Sequence, residues 1–154
     1  MDKKIIYISG KVTGLDYEQC YAKFLANERW LQYYGFEVIN PMKRVPKGTN
    51  WTPAMLICRE DVKKSDALFL ISDWTDSDGA EVEKQIAEWN KIPVFESFYG
   101  LLKQFNTNVT ASKCYTCGND AYLTETVFPL CKTCIDEMED FRNSVNVGVV
   151  YCKR

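Results

Sequence analysis

The chain has 154 residues, 46% of them apolar or aromatic, and a net charge of −2. That length suits one domain with its own core, or a domain of about 100 residues with a small appendage, and the near-neutral charge argues against a protein that coats nucleic acid. Histidine is absent, which excludes Ser-His-Asp and Cys-His catalysis and imidazole metal ligands. Any chemistry must rest on carboxylates, tyrosines, hydroxyls, thiols or lysines.

The apolar stretch behind Met1 is too short for a secretory or membrane-spanning segment, so the chain is expected in the cytoplasm and off the membrane. Lys4 to Ile8 is a β-branched run ended by Ser9-Gly10 and reads as a strand buried on both faces. Asp16 opens a helix with Gln19 at the capping-box position, Tyr17, Tyr21, Phe24, Leu25 and Leu31 on one face, and Gly35 closing it. Phe36 to Ile39 is a second strand, stopped by Asn40-Pro41. A loop rich in Lys, Arg, Pro and Gly runs from Met42 to Trp51, and Thr52-Pro53 then predicts an N-cap and a helix to about Lys64.

Asp66 to Ile71 is the third strand. Beyond it Asp78 and Glu81 form a capping box for a helix starting at Gly79, with Val82, Ile86 and Trp89 on one face. Ile92 to Phe95 is a fourth strand and Phe98 to Phe105 a short helix. Strands alternating with helices predict an α/β fold: a Rossmann- or flavodoxin-like parallel sheet with helices on both faces. Right-handed crossovers bring the carboxyl ends of strands one and three to one rim, where such sheets bind ligands, so the loops Ser9 to Leu15 and Asp73 to Gly79 are the ones to watch. The organisation read is an α/β domain over residues 1–105, a polar linker over 106–113 and an appendage over 114–154.

The appendage carries Cys114-x-x-Cys117-Gly118 and Cys131-x-x-Cys134. Two such hooks bring four thiolates to tetrahedral geometry around Zn2+, and four thiolates leave no open position for water, so the zinc is expected to be structural in a small ribbon. The ribbon would serve a protein or nucleic-acid partner or an oligomer contact. Its helix around Ile135 to Asp140 is acidic, which disfavours phosphate contacts. Cys20, Cys58 and Cys152 read as buried small hydrophobes or incidental thiols.

At the rim, Asp78 and Glu81 are used in starting the helix, whereas Glu83 is not. Its place near the positive end of the helix predicts a lowered proton affinity and an ionised carboxylate able to act as a nucleophile. Ile6-Tyr7-Ile8-Ser9-Gly10 with Thr13-Gly14, then Ser65-Asp66-Ala67, Ser77-x-Gly79-Ala80-x-x-Glu83-x-x-x-Ala87 and Lys91-Ile92-Pro93-Val94 resemble the nucleoside 2-deoxyribosyltransferase family, nearest to its small phage and bacterial relatives.

The resemblance implies that Glu83 attacks C1' of a deoxyribosyl group and that water or a second base then takes the sugar. It implies that Tyr7 orients nucleophile and sugar, and that Asp66 positions or protonates the departing base. No catalytic cofactor is implied, and a homodimer or larger assembly is. Transferases of this family carry an aspartate where this chain has Ser77. Serine there resembles the nucleoside 5'-monophosphate N-glycosidases of the superfamily, since a carboxylate repels phosphate and a hydroxyl at a helix N-terminus donates to it. Ser9, Gly10, Lys11, Thr13 and Gly14, with Ser77 and Gly79, are the candidate phosphate and substrate contacts, and Trp51 and Trp74 are candidate walls for the base. Each has a plainer reading: an exposed helix carboxylate for Glu83, a strand aromatic for Tyr7, a strand start for Asp66, a solvated lysine for Lys11 and core aromatics for the tryptophans. The competing function is a non-catalytic nucleotide-binding module whose ribbon engages a partner.

Overall fold

A computed structural model describes residues 3–105 of the chain. The chain divides into two compact units, Met1–Ser97 and Phe98–Arg154. The described part of the second is helix α5, Phe98–Phe105, over the residues the sequence predicts. The linker and the four-cysteine ribbon lie outside the described residues.

The first unit is built on four parallel strands, β1 Ile5–Ser9, β2 Glu37–Ile39, β3 Ala67–Leu70 and β4 Val94–Phe95, in the order β2-β1-β3-β4. Central β1 registers Tyr7 against Ile39 on one side and Leu68 on the other. Every residue of β3 is buried, as expected of a strand covered on both faces. The chain steps from β1 out to β2 through α1, Tyr17–Tyr33, and returns across β1 to β3 through α2, Pro41–Arg44, and α3, Trp51–Lys63. It continues to β4 through α4, Asp78–Trp89. Because the direction reverses after β2, right-handed crossovers put α1 on one face and α3 with α4 on the other; α1 accordingly packs on β1 and β2, and α3 on α4.

The α3/α4 face holds a core of Tyr7, Cys58, Val62, Leu68, Leu70 and Ala87. By strand alternation Ile6 and Ile8, both fully buried, point to the α1 face. At α1 the predicted capping holds: the Asp16 carboxylate accepts from the Gln19 amide at 3.0 Å. The helix ends where Gly35 adopts φ 89°, a left-handed turn that favours glycine.

Three local expectations are corrected. The Met42 to Trp51 loop begins with α2, capped by Asn40, whose side-chain oxygen accepts from the Met42 amide at 2.9 Å. Asn40 also donates to buried Glu28, which takes Lys43 at 2.7 Å, while Arg44 makes a two-bond contact with buried Asp61, so α2 is tied to both α1 and α3. Second, α3 starts at Trp51 with Asn50 in the N-cap position, so Thr52 lies inside the helix rather than capping it. Third, the α4 cap is Ser77, whose hydroxyl accepts from the Ala80 amide at 3.2 Å. Asp78 is the first helical residue, and the Glu81 amide bonds the Ser77 carbonyl. Trp89 is 89% exposed; the buried stripe of α4 is Ala80, Glu83 and Ala87.

Candidate active site

The carboxyl ends of β1 and β3 meet as expected, with Ser9 paired to Leu70 and the Ile71 amide donating to the Ser9 carbonyl at 2.8 Å. The buried stripe of α4 carries Glu83 over this point. Its carboxylate accepts from the Tyr7 hydroxyl at 2.7 Å through Oε1 and from the Ser9 hydroxyl through Oε2. Tyr7 and Ser9 are two residues apart on β1, so both side chains leave the same face of the strand. Each is fully buried, and Glu83 is 6% exposed. The α3 residue Cys58 lines the same cavity as Glu83.

This arrangement reverses the expected electrostatics. Burial pushes the Glu83 proton affinity above that of an ordinary carboxyl, and the bonds from the Ser9 and Tyr7 hydroxyls offset the loss of solvent only in part. The position near the helix N-terminus does not outweigh the missing water. Burial and the neighbouring Glu83 likewise raise the Tyr7 hydroxyl well above its ordinary value. The Cys58 thiol is pushed up to about 12, by burial first and Glu83 second, so it stays protonated at neutral pH.

Glu83 forms part of the wall of a cavity of about 420 Å³. The first-strand loop contributes Gly10, Val12 and Thr13; α2 and the segment after it contribute Met42, Val45 and Lys47; α3 contributes Trp51, Met55 and Cys58; and the start of α4 contributes Ser77 and Gly79. The volume is within the range of small-molecule sites, and an apolar lining with a few convergent polar groups is the usual composition of one. Among the predicted contacts, Gly10, Thr13, Trp51, Ser77 and Gly79 line the cavity, and Ser9 acts behind it through Glu83. A side chain on Gly10 would meet Asp73 Oδ1 and Ile71 Cβ at 3.0 Å, so glycine lets the loop pass close to the end of β3 without displacing them.

Other predicted residues are placed elsewhere. Asp66 lies at the amino end of β3, where its carboxylate takes the Ile5 amide at 2.8 Å and Lys4 at 2.9 Å. A strand rises about 3.3 Å per residue, which leaves Asp66 roughly 13 Å from the Ser9 end of β1. The Ile5 amide and then Lys4 hold its proton affinity below that of an ordinary carboxyl, the opposite of what a proton donor to a departing base needs. Trp74 packs on the core, with Lys84 Nζ 4.2 Å from its ring centroid, and is not a cavity wall. Lys11 acts through its peptide: the N–H donates to Asp73 at 3.1 Å and the carbonyl accepts from Lys23 at 2.7 Å. Gly14 takes φ 82° in the turn of the same loop, away from other atoms.

Four residues here were missed by the sequence reading. Lys23 and Asp73, themselves ion-paired, bracket the Lys11 peptide and fix the cavity-lining loop. Cys58 and Met55 share a helical face with Trp51, at spacings of seven and four residues. That spacing was the available signal, but nothing in the sequence states that this face of α3 turns towards Glu83.

Among the described residues, no helix is long and apolar enough to cross a membrane. Two solved structures are similar over nearly the whole length: the solution structure of BlsM, at 17% identity and a TM-score of 0.49 over 96% of this chain and 98% of that one, and a conserved protein from Enterococcus faecalis V583, at 15% identity and 0.46 over 91% and 88%. At those scores neither bears on function. No curated protein matches the chain. Residues 4–96 match the family described as a domain of unknown function, DUF4406, and the chain belongs to that family.

Proposed function

We propose that the protein cleaves the N-glycosidic bond of a nucleoside or nucleoside 5'-monophosphate, or transfers its deoxyribosyl group, with Glu83 as the nucleophile. The observation that carries this reading is the buried Glu83 carboxylate, held by Tyr7 and Ser9 and facing a cavity of small-molecule size. A carboxylate oxygen has two lone pairs. With one hydrogen bond from Tyr7 on Oε1 and one from Ser9 on Oε2, each oxygen keeps a lone pair for C1'. Attack forms the Glu83–C1' ester as the C1'–N bond breaks; its electron pair leaves with the base, which takes a proton from solvent at the cavity mouth. Water or a second base then attacks C1' and releases the carboxylate.

The monophosphate version draws support from the start of α4. Ser77 Oγ accepts from the Ala80 amide, which leaves the hydroxyl hydrogen for an anionic oxygen, and the Thr13 hydroxyl lines the same cavity. Asp66 has no part in this scheme.

Glu83→Gln is expected to lower release of free base from a panel of nucleosides, deoxynucleosides and their 5'-monophosphates by about a thousandfold or more, with an unchanged circular-dichroism spectrum. Intact-mass analysis of rapidly quenched wild type is expected to show the added sugar. Tight binding of a panel member with no base release from wild type would instead establish the non-catalytic module.

Cys114, Cys117, Cys131 and Cys134 are proposed to hold one structural zinc in a ribbon available to a protein or nucleic-acid partner, and the chain to form a homodimer or larger assembly. Elemental analysis should give one zinc per chain, lost in Cys114→Ser/Cys117→Ser and retained in Glu83→Gln.

A further inference from the structure

We propose that Lys47 sets the substrate class of this cavity: its ammonium pairs with the 5'-phosphate of a nucleoside monophosphate, so that a nucleotide is preferred to a nucleoside. On the glycosidic reading, on which this assignment rests, C1' lies at Glu83 and the 5'-phosphate several bonds away. Among the described residues that line the cavity, Glu83 and Lys47 alone are charged. Lys11, the cation expected in a phosphate pocket, is not one of them. Ser77 and Thr13 offer hydroxyls, but a hydroxyl serves a neutral 5'-hydroxyl as well as a phosphate oxygen. A positive charge tells the two apart, and it also balances the repulsion between a phosphate and the Glu83 carboxylate.

The chain fixes the backbone of Lys47 and leaves its head group loosely held. Pro46 to Thr49 form a tight turn, in which the Thr49 amide donates to the Pro46 carbonyl at 3.1 Å and the Thr49 hydroxyl to the same oxygen at 2.6 Å. Lys47 takes the second position of the turn. Gly48 takes the third with φ 85°, a value that favours glycine there. The turn follows α2, whose own cations are committed: Lys43 and Arg44 pair with buried Glu28 and Asp61. Lys47 instead reaches the start of α1, with Nζ 4.0 Å from the Tyr17 ring centroid and 3.4 Å from Glu18 Oε1. Tyr17 lines the cavity and Glu18 does not. The two side chains of this ion pair are 63% and 76% exposed, and so open a pair is weak. A phosphate monoester, carrying about two negative charges near neutral pH, outcompetes a single solvated carboxylate for the ammonium.

Titration calorimetry on the full chain carrying Glu83→Gln, so that no turnover consumes the ligand, gives Kd for nucleosides, their 5'-monophosphates and inorganic phosphate. At least one monophosphate is expected to bind about tenfold or more tighter than its own nucleoside. Adding Lys47→Met should cut that preference about tenfold, and Lys47→Arg should keep most of it. Glu18→Gln, which removes the competing carboxylate, should raise the preference about two- to threefold and do nothing in the Lys47→Met background. A lysine that only shaped the turn would give no gain on loss of Glu18.

Equal weakening of nucleoside and monophosphate in Lys47→Met would overturn the inference, as would a preference that stays or falls in Glu18→Gln. Inorganic phosphate bound as tightly as any monophosphate would overturn it too, because the site would then take the free anion, and so would a panel without a binder. A Lys47-dependent preference with no base released by wild type leaves the phosphate assignment standing and removes the glycosidic reading. Base release by wild type with no Lys47-dependent preference does the reverse.

Discussion

Two carboxylates bond to β1 near its opposite ends, and they titrate in opposite directions. Asp66 takes a backbone amide and Lys4, with a third of its side chain still exposed; its proton affinity is lowered. Glu83 takes two side-chain hydroxyls and is almost wholly buried, and its proton affinity is raised. Each carboxylate accepts two hydrogen bonds, so their number does not set the difference. The comparison shows that desolvation outweighs two neutral donors, whereas one amide and one ammonium at a wet edge need offset very little. One carboxylate pins a strand; the other lies in the wall of a cavity.

The largest expected break in that contrast is Tyr7→Phe. It removes one donor from a buried charge and leaves the ring in place, so the Glu83 proton affinity should rise further. On the proposed function, activity is lost as pH falls through the Glu83 titration, because only the carboxylate attacks C1'. The variant is expected to lose about ten- to a hundredfold in kcat/KM near neutrality and to carry its acid limb about one unit higher. A pH–rate profile of both proteins checks this. A uniform loss with an unmoved limb would mean that the hydroxyl contacts the sugar rather than tuning the carboxylate.

Much of the fold was legible because it rests on local signals. The β-branched run of β1, the Asp16 cap and Gly35 each state their structure within a few residues, and the alternation of strands and helices carries the parallel sheet. The errors came where two local signals competed or where a contact was distant. Ser77 and Asp78 are adjacent residues that both suit a cap, and the preceding turn over Trp74–Asp76 delivers Ser77 first. Asn40 reads as a strand stop, but it also caps α2, whose ion pairs to Glu28 and Asp61 are invisible in a linear reading. At the site, the spacing of Tyr7 and Ser9 on one strand face was legible, and so was Glu83 one turn into a helix. The burial of Glu83 was not, since it depends on α3 packing against α4, and the dipole argument therefore gave the wrong sign. Asp66 shows the converse error. Its place at a strand start was visible, but a strand start is the amino end of a parallel sheet, and the ligand rim is the other end.

The smallest expected effect is at that amino end. Asp66→Asn keeps an oxygen that can accept from the Ile5 amide and loses only the exposed pair with Lys4, whose ammonium is half solvated. A surface pair and one retained hydrogen bond put the cost at about 1 kcal/mol or less. Its pH dependence has the opposite sign to that of Glu83. A carboxyl with lowered folded proton affinity stabilises the fold above its unfolded value, and that contribution is lost as pH falls through the folded one. Denaturant melts of wild type and Asp66→Asn should therefore converge below about pH 4 and separate slightly above it, with base release changed less than twofold throughout. A large activity loss at unchanged stability would return Asp66 to the chemistry, and would require the site to reach across the full length of β1.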